Sequence, residues 1–226
     1  MTKPANVDAV FTGQPRSITD ERGTWTSSIF RDRVAGHVQV SLRGLAGDKV
    51  AQPYHGGPGA ALCVHLNDHY RFWKAQYNIN LHAGCVGENV TLGDIAEDQV
   101  CVGDTVRLGT ALVQVSGPRV PCANLARRIG RSDWVKLTIQ ENRTGFYLRV
   151  LEPGALQAGD PWMIEERLNH DGSIPAINRC MYLEFDRSYA RRMLEMSGLG
   201  EWWKDQARQK IEGATDHWTL SMKHGG

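Results

Sequence analysis

The chain has 226 residues, of which 26 are Lys or Arg and 25 are Asp or Glu, so its formal net charge is +1. This length suffices for one substantial domain and a small companion. The near balance of charge gives no reason to expect a nucleic-acid polymer or an anionic membrane as partner. The cysteines, five in number, form no Cys-x-x-Cys pair, which argues against a disulfide framework and a zinc ribbon and favours a reducing cytoplasm.

The N-terminal segment is polar and contains too few apolar residues for a signal peptide. No later apolar run approaches the length of a membrane span, so we expect no membrane partner. A hydroxyl-rich loop follows over 23–28, with Arg31 and Arg33 close behind it. Such loops can hold a phosphate, but we interpret this one as solvated surface.

Alternating apolar and polar residues predict a series of short strands, at 38–42, 60–66, 88–92, 100–108, 111–116, 144–151 and 162–164. Gly109-Thr110 fits a two-residue hairpin turn between the fourth and fifth of them. Short, closely spaced strands with few helices between them predict a mainly β fold. We expect an antiparallel β-barrel, which removes the exposed strand edges.

Helices are predicted at a few places among these strands. Asn67 fits the cap of a helix over 68–76, so His65 ends a strand and His69 begins the helix. The glutamate of the His-Glu-x-x-His zinc pattern is missing, and we interpret both histidines as ordinary. A further helix is predicted with Ser132 or Asp133 as its cap and an end near Asn142.

The alternation ends near Asn169, and three helical blocks follow, at 174–185, 187–196 and 201–211. Glycines stop the second and third blocks. The sequence therefore predicts a β-barrel domain over 1–168 and a small C-terminal three-helix bundle over 169–226.

Cys122 occupies an unusual position for a structural thiol. Pro118 and Pro121 take the chain out of any strand ladder and hold the loop from Arg119 to Cys122 stiff. Helical spacing begins directly after Cys122, and both a helix N-terminus and the nearby Arg119 favour a thiolate. Since a thiolate ligates metals or attacks electrophiles, we expect Cys122 to be functional. Three other thiols in the strand region are predicted to be core residues, namely Cys63, Cys85 and Cys101.

Two further segments could approach the same ligand. Gly56 and Gly57 allow close approach of the backbone, and His55 could point into the same space. This loop has neither the dinucleotide nor the P-loop pattern. Glu88 and Asn89 place hydrogen-bonding groups just past a glycine.

Taken in order, five motifs resemble those of the MOSC family, in its YiiM-like branch, over about 15–166. The motifs are Tyr54-His55-Gly56-Gly57-Pro58, Gly87-Glu88-Asn89-Val90-Thr91, Val102-Gly103-Asp104, the segment from Val113 to Cys122, and Thr144-Gly145-Phe146-Tyr147-Leu148-Arg149-Val150. The resemblance implies a β-barrel whose pocket holds a molybdenum cofactor (molybdopterin), with the metal bound by the pterin dithiolene and by Cys122. The helical tail is similar to the extension of YiiM-like proteins.

The resemblance also directs attention to residues that could hold the cofactor. Arg119 or Arg149 could pair with the pterin phosphate. The pterin ring could be bound by Thr144, Asn89, Glu88 and the backbone near Gly57. His55 and Glu88 are the candidate proton donors. Two departures remove positive charge: Gly59-Ala60 replaces an Asp-Lys pair of relatives, and Asn124 replaces a lysine.

The implied activity is reduction of N-hydroxylated compounds, such as hydroxylamino purines or amidoximes, to amines. The sequence has no nucleotide fingerprint or iron–sulfur cysteine set, so we expect electrons from a separate flavin-dependent reductase. Two alternatives remain open, a cofactor or sulfur carrier that uses Cys122 as a persulfide site and a non-catalytic binding barrel. A homodimer also remains open.

Overall fold

The computed structural model describes residues 5–52 and 55–213, so Tyr54 and the end of the predicted helical region, 214–226, lie outside it. The described residues form thirteen strands: β1 Asn6–Thr12, β2 Arg16–Asp20, β3 Gly23–Ser27, β4 Asp32–Arg33, β5 Val38–Ser41, β6 Gly44–Leu45, β7 Leu62–Leu66, β8 Val90–Gly93, β9 Thr105–Leu108, β10 Ala111–Pro118, β11 Phe146–Glu152, β12 Gly154–Leu156 and β13 Trp162–Glu166.

In the same ranges there are six α-helices: α1 Asn67–Tyr77, α2 Ala123–Ile129, α3 Trp134–Gln140, α4 Ile174–Asn178, α5 Arg187–Glu195 and α6 Glu201–Ile211. A π-helical segment, Arg179–Leu183, follows α4 directly. None of the helices in the described ranges combines the length and the apolar character needed to cross a bilayer.

One large sheet contains eight strands in the order β13-β9-β10-β11-β7-β8-β1-β4. The strand next to one end of this sheet, β1, approaches the other end: Asn6 bridges Pro161, and the Val7 amide donates to the Asp160 carbonyl at 2.9 Å. These contacts join β1 to the segment that leads into β13, and the sheet curls into a barrel. The predicted mainly β fold is confirmed.

The hairpin β9–β10 turns at the predicted dipeptide. Leu108 pairs with Ala111 across the turn, and Gly109 has a φ of +61°. A Cβ atom at Gly109 would lie 2.2 Å from the Ala155 carbonyl oxygen, so both the backbone angle and the space require glycine.

The barrel departs from antiparallel pairing at one place in the described chain, where β7 and β8 run parallel. Their connection contains α1, and a crossover of this kind is what parallel neighbours require. Asn67 is the first residue of α1 rather than its cap, which corrects the prediction. Its side chain donates to Asp8 Oδ2 at 2.8 Å and so ties the helix start to β1.

The C-terminal helices lie where the sequence places them, but they pack directly on the barrel. Ile177, Met193 and Trp203 belong to the same buried apolar cluster as Val115 and Leu148 of the sheet. The predicted boundary at residue 168 between separate domains stays a prediction, since the two parts share this core.

A second apolar cluster lies beneath α1, α2 and α3. It is built from buried side chains of these helices and of two loops: Ile29, Tyr70, Trp73, Val86, Leu125, Ala126, Trp134 and Leu137. Leu125 and Ala126 anchor the first turn of α2, directly after Cys122. The cluster thereby fixes the backbone that follows the candidate thiol.

Candidate functional site

A cavity of about 360 Å³ gathers segments that are distant in sequence. Its wall includes five of the predicted site residues, His55, Gly57, Asn89, Arg119 and Cys122. The volume lies in the range of small-molecule and cofactor pockets, which runs from about 300 to 1,000 Å³. This cavity is the candidate functional site.

Cys122 is the N-cap residue of α2 and is partly exposed to the cavity. Its carbonyl oxygen accepts the amides of Leu125 at 3.0 Å and Ala126 at 3.3 Å. The backbone of Cys122 therefore starts the helix, as predicted, while its side chain makes no capping hydrogen bond. The thiol is left available for a ligand in the cavity.

Arg119 is buried, with 7 % of its surface exposed. Its backbone amide donates to the Gly145 carbonyl at 2.9 Å, and Nη2 donates to the Val86 carbonyl at 2.7 Å. The other terminal nitrogen, Nη1, is buried without a hydrogen-bond partner in the described part of the chain. A buried guanidinium with an unsatisfied donor beside a cavity is suited to an anionic ligand.

Four cations line the cavity, Arg31, Arg43, Lys49 and Arg119. Among the described lining residues the only carboxylate is Asp48, and it is paired with Arg31 through contacts of 2.8 and 2.9 Å. Arg31 Nη1 also donates to the Gly87 carbonyl at 2.5 Å. The lining therefore carries a net positive charge, which favours an anionic ligand.

The end of the hydroxyl-rich segment is part of this wall, so its interpretation as solvated surface was wrong for Ser27 and Ser28, whereas Gly23, Thr24 and Thr26 are exposed as predicted. Ser27 and Ser28 are each 6 % exposed and line the cavity together with Arg31. Arg33 does lie on the exposed surface, where it donates to the Asp8 carbonyl. Arg31, three residues after Ser28, was the sequence signal that could have identified the end of this segment as part of an anion-binding wall.

His55 lines the cavity, and the charges of two of the lining arginines act on its imidazole. Burial lowers its pKa below the usual value, and the charges of Arg119 and Arg31 lower that pKa further. At neutral pH the imidazole is therefore uncharged. It can accept a proton or a hydrogen bond but does not hold a spare proton.

Cys63 also lines the cavity, although the sequence predicts a core residue. It is 9 % exposed, and burial raises the pKa of its thiol. The Asn89 side-chain oxygen accepts the Cys63 amide at 3.0 Å, and Asn89 Nδ2 donates to the Phe11 carbonyl at 3.3 Å. The Asn89 amide group therefore connects β7 and β1 by hydrogen bonds, and Asn89 is also part of the cavity wall.

Glu88 lies outside the described cavity wall, and its role as a cofactor and catalytic residue stays a prediction. Its Oε1 accepts hydrogen bonds from the Tyr70 hydroxyl at 2.6 Å, the Gly84 amide at 2.6 Å and the Thr91 hydroxyl at 2.8 Å. Since successive side chains of an extended chain point to opposite sides, Asn89 faces the cavity and Glu88 faces away.

Thr144 and Arg149 also lie away from the described wall, and their cofactor-binding roles stay predictions. The Thr144 hydroxyl accepts Asn178 Nδ2 at 2.8 Å, and Arg149 Nη2 donates to the Gly198 carbonyl at 2.8 Å. Both side chains hold the C-terminal helices against the barrel. The residue of this motif that does line the cavity is Tyr147.

His65 and His69 are fully buried, with ring centroids 4.8 Å apart, and they lie outside the described cavity wall. Burial lowers the pKa of His69 to about 3, with a further contribution from Arg143. His69 Nε2 lies 3.7 Å from an oxygen of Glu97, whose own pKa burial raises to about 8. Both histidines are neutral structural residues at neutral pH.

The family model of the MOSC domain matches residues 51–162. The protein YflK of Bacillus subtilis is 33% identical over 88% of this chain and 90% of its own length. The chain belongs to the MOSC domain family. Its MOSC domain thus spans the His55 loop, Asn89, Arg119 and Cys122.

Other relatives match the MOSC domain and the helices that follow it. YiiM of Escherichia coli is 28% identical over 94% of this chain and 96% of its own length. The crystal structure of YiiM from Geobacillus stearothermophilus has a TM-score of 0.78 at 32% identity, and covers 92% of this chain and 100% of the other.

A protein of Gibberella moniliformis named a reductase is 30% identical over 89% of this chain. The match spans 37% of that longer protein. The similarity therefore concerns about a third of the fungal reductase.

Proposed function

We propose that the protein is a molybdenum-cofactor-dependent reductase that converts N-hydroxylated compounds to amines. The observation that carries the proposal is the cavity itself, in which a partly exposed thiol, Cys122, lies beside a cationic lining. Membership of the MOSC family and the partial match to a protein named a reductase support it.

The residues present fit this cofactor on chemical grounds. A thiolate is a soft ligand, suited to a sulfur-rich metal centre, and Cys122 offers one on the cavity wall. The cofactor carries a phosphate, and the lining has more cations than carboxylates among its described residues. Arg119 Nη1, buried without a partner in the described chain, provides an inner donor for an anionic or carbonyl group.

The overall conversion consumes two electrons and two protons, cleaves the N–O bond and releases water. The molybdenum centre would supply the electrons when it is bound. Cys122 would hold the metal, and Arg119 would orient the cofactor from the buried side of the cavity. Tyr147 and Val120, which also line the cavity, would shield the bound group from water.

His55 is the group best placed to transfer a proton within the cavity. Its pKa is lowered by burial and further by the charges of Arg119 and Arg31. The imidazole is therefore a weak base as long as no anion is bound beside these two arginines. An anion bound beside them would offset their charge and raise the pKa of His55. Cofactor binding would thereby prepare His55 for proton transfer. Electrons would come from a separate flavin-dependent reductase.

The test is the Cys122→Ser variant, made in a molybdenum-replete host beside the wild type. We expect bound molybdenum to be lost and the reduction of benzamidoxime or a hydroxylamino purine to fall by about 100-fold or more, because the metal loses its protein ligand. A chemical electron donor, reduced viologen, makes the assay independent of the partner reductase. The melting temperature should stay close to the wild-type value, because the thiol faces a cavity.

Cys101→Ser is the matched control, since Cys101 is 2 % exposed. An unpaired buried hydroxyl should cost about 1–3 kcal/mol of stability and leave bound molybdenum unchanged. Unchanged turnover in Cys122→Ser would refute the role of this thiol. Wild-type protein that binds no molybdenum but carries a persulfide on Cys122 would instead support a sulfur carrier.

A further inference from the structure

We propose that Arg43 and Lys49 form a subsite for a phosphate monoester at the rim of the cavity. The source of that phosphate rests on the proposed function, but the subsite itself depends on the chemistry and placement of these two cations. Both residues line the cavity and both are exposed to solvent.

The four cations of the lining fall into two pairs. Arg31 is committed to Asp48 and to the Gly87 carbonyl, and Arg119 donates to the Val86 carbonyl. By contrast, the contacts of Arg43 and Lys49 within the described residues are made by their backbone amides. The Arg43 amide donates to Ser41 Oγ at 3.2 Å, and the Lys49 amide donates to the Gly13 carbonyl at 2.8 Å. The guanidinium and the ammonium group thus remain available to a ligand.

The backbone that presents the two cations is held in place. Arg43 lies in the β5–β6 turn, which Ser41 Oγ closes through a 3.1 Å bond to the Gly44 carbonyl. Gly44, at φ +113°, packs so closely on the cavity wall that a Cβ would lie 2.6 Å from the Ala61 carbonyl oxygen. Beside Lys49, Asp48 accepts the Gly13 amide at 2.8 Å. A fixed backbone lowers the entropy lost when a ligand orders the side chains.

The charge of the pair matches a phosphate monoester better than a carboxylate. A phosphate monoester carries a charge of about −1.5 to −2 at pH 7, whereas a carboxylate carries a single negative charge. Arg43 can offer a planar pair of donors and Lys49 a compact point charge, and both are established ways of binding phosphate oxygens. Asp48 is already neutralised by Arg31 and would not repel the ligand strongly.

Two molecules could bring such a phosphate to the rim, the pterin cofactor or an N-hydroxylated purine nucleotide. The shared chemistry is tested first, with full-length protein from a host that makes no molybdopterin. Calorimetric titration with inorganic phosphate should show binding to the wild type and about tenfold weaker binding to Arg43→Gln/Lys49→Gln.

Arg187→Gln/Arg191→Gln is the matched control, because it removes the same charge from exposed positions on α5. This control should keep the phosphate affinity of the wild type. The proposal is overturned if the wild type binds no phosphate, if the rim variant binds phosphate as tightly as the wild type, or if the control loses affinity equally. Circular dichroism of each variant verifies that the fold is kept.

The source is then identified in protein from a cofactor-producing host. A loss of bound pterin in the rim variant assigns the subsite to the cofactor phosphate. Unchanged pterin content, with the KM for a hydroxylamino purine nucleotide raised about tenfold relative to that for its free base, assigns it to the substrate. If no N-hydroxylated compound is turned over but phosphate affinity depends on the pair, the proposed function fails and the subsite stands.

Discussion

Glu97 lies enclosed beside the two buried histidines, and its Oε1 accepts the Gly145 amide at 2.6 Å. Burial raises its pKa from 4.5 to about 8, so the folded protein keeps this carboxyl group protonated at neutral pH. In the unfolded chain the same group ionises at its ordinary pKa. Folding therefore binds a proton between these two values, and the unfolding free energy falls as the pH rises.

We predict that Glu97→Gln removes this loss of stability between pH 7 and 8. The folded pKa values of His65 and His69 lie below the ordinary value of 6.5, so the remaining proton uptake by these histidines above pH 7 occurs in the unfolded chain and is common to the wild type and the variant. The wild-type unfolding free energy should fall by up to about 1.4 kcal/mol per pH unit relative to that of Glu97→Gln in this window. Urea denaturation at several pH values measures the difference.

The control is Asp98→Asn, because Asp98 is exposed. This substitution removes a negative charge next to Glu97 but leaves the buried Glu97 carboxyl group itself unchanged. This variant should keep the slope of the wild type. A Glu97→Gln variant that keeps the slope too would show that the carboxyl group is ionised in the folded protein.

The sequence allowed the position of a site residue to be predicted only where its neighbours in the chain determine the direction of its side chain. Cys122 and Arg119 lie in the cavity wall, and two prolines and a helix start determine how that loop presents them. Thr144 and Arg149 were assigned to the cavity by motif alone, and Glu88 by its place just past a glycine. Their side chains turn to partners from distant segments, such as Tyr70 and Asn178, which no local pattern reveals.

The β2–β3 hairpin stands outside the main sheet and is fastened to α2 by a side chain. Arg127 Nε and Nη2 each approach the Asp20 carboxylate at 2.6 Å, and the guanidinium lies 4.7 Å from the Trp25 ring centroid. The hydrogen bond from Arg127 lowers the pKa of Asp20 to about 2. Since Ser27 at the end of this hairpin lines the cavity, the contact couples the hairpin to the candidate site.

We predict that Arg127→Gln accelerates amide hydrogen exchange within the hairpin by several-fold and leaves the exchange of β10 unchanged. The ion pair is exposed, so it contributes little to global stability but restricts local opening. Arg131→Gln is the control, because the described side-chain contacts of Arg131 are with Asp133, two residues away. Equal protection of the hairpin in both variants would show that its packing alone holds it.

Element prediction succeeded where the chain's own periodicity determines the structure. The β9–β10 hairpin and helices α5 and α6 agree with the sequence because the Gly109 turn and the stopping glycines act locally. The parallel pair β7–β8 was missed, since pairing direction depends on how α1 crosses the sheet. The approach of the β5–β6 turn to the cavity was also not predictable, because it depends on the close contact of Gly44 with Ala61.

At the scale of the whole molecule, the C-terminal helices support the site from behind. The Gly200 amide donates to the Ser116 carbonyl at 2.8 Å, and Trp203 Nε1 donates to the Pro118 carbonyl at 3.1 Å. Both acceptors lie just before Arg119 on the strand that leads to Cys122. The helical region therefore holds the end of β10 in place, although no residue of α5 or α6 is among the described cavity-lining residues.

Trp203→Phe should weaken both the fold and the site. The change removes the donor to the Pro118 carbonyl and leaves space against Gly117, where Trp203 packs. We expect a loss of about 1–3 kcal/mol in unfolding free energy and reduced retention of molybdenum, because the loop from Pro118 to Cys122 loses its support. Trp202→Phe is the matched control, since Trp202 is 41 % exposed, and it should cost less than about 0.5 kcal/mol. Two outcomes would contradict this prediction. One is an equal loss of stability in both variants, and the other is full molybdenum retention in Trp203→Phe despite its lower stability. Either would show that the helices do not support the loop from Pro118 to Cys122.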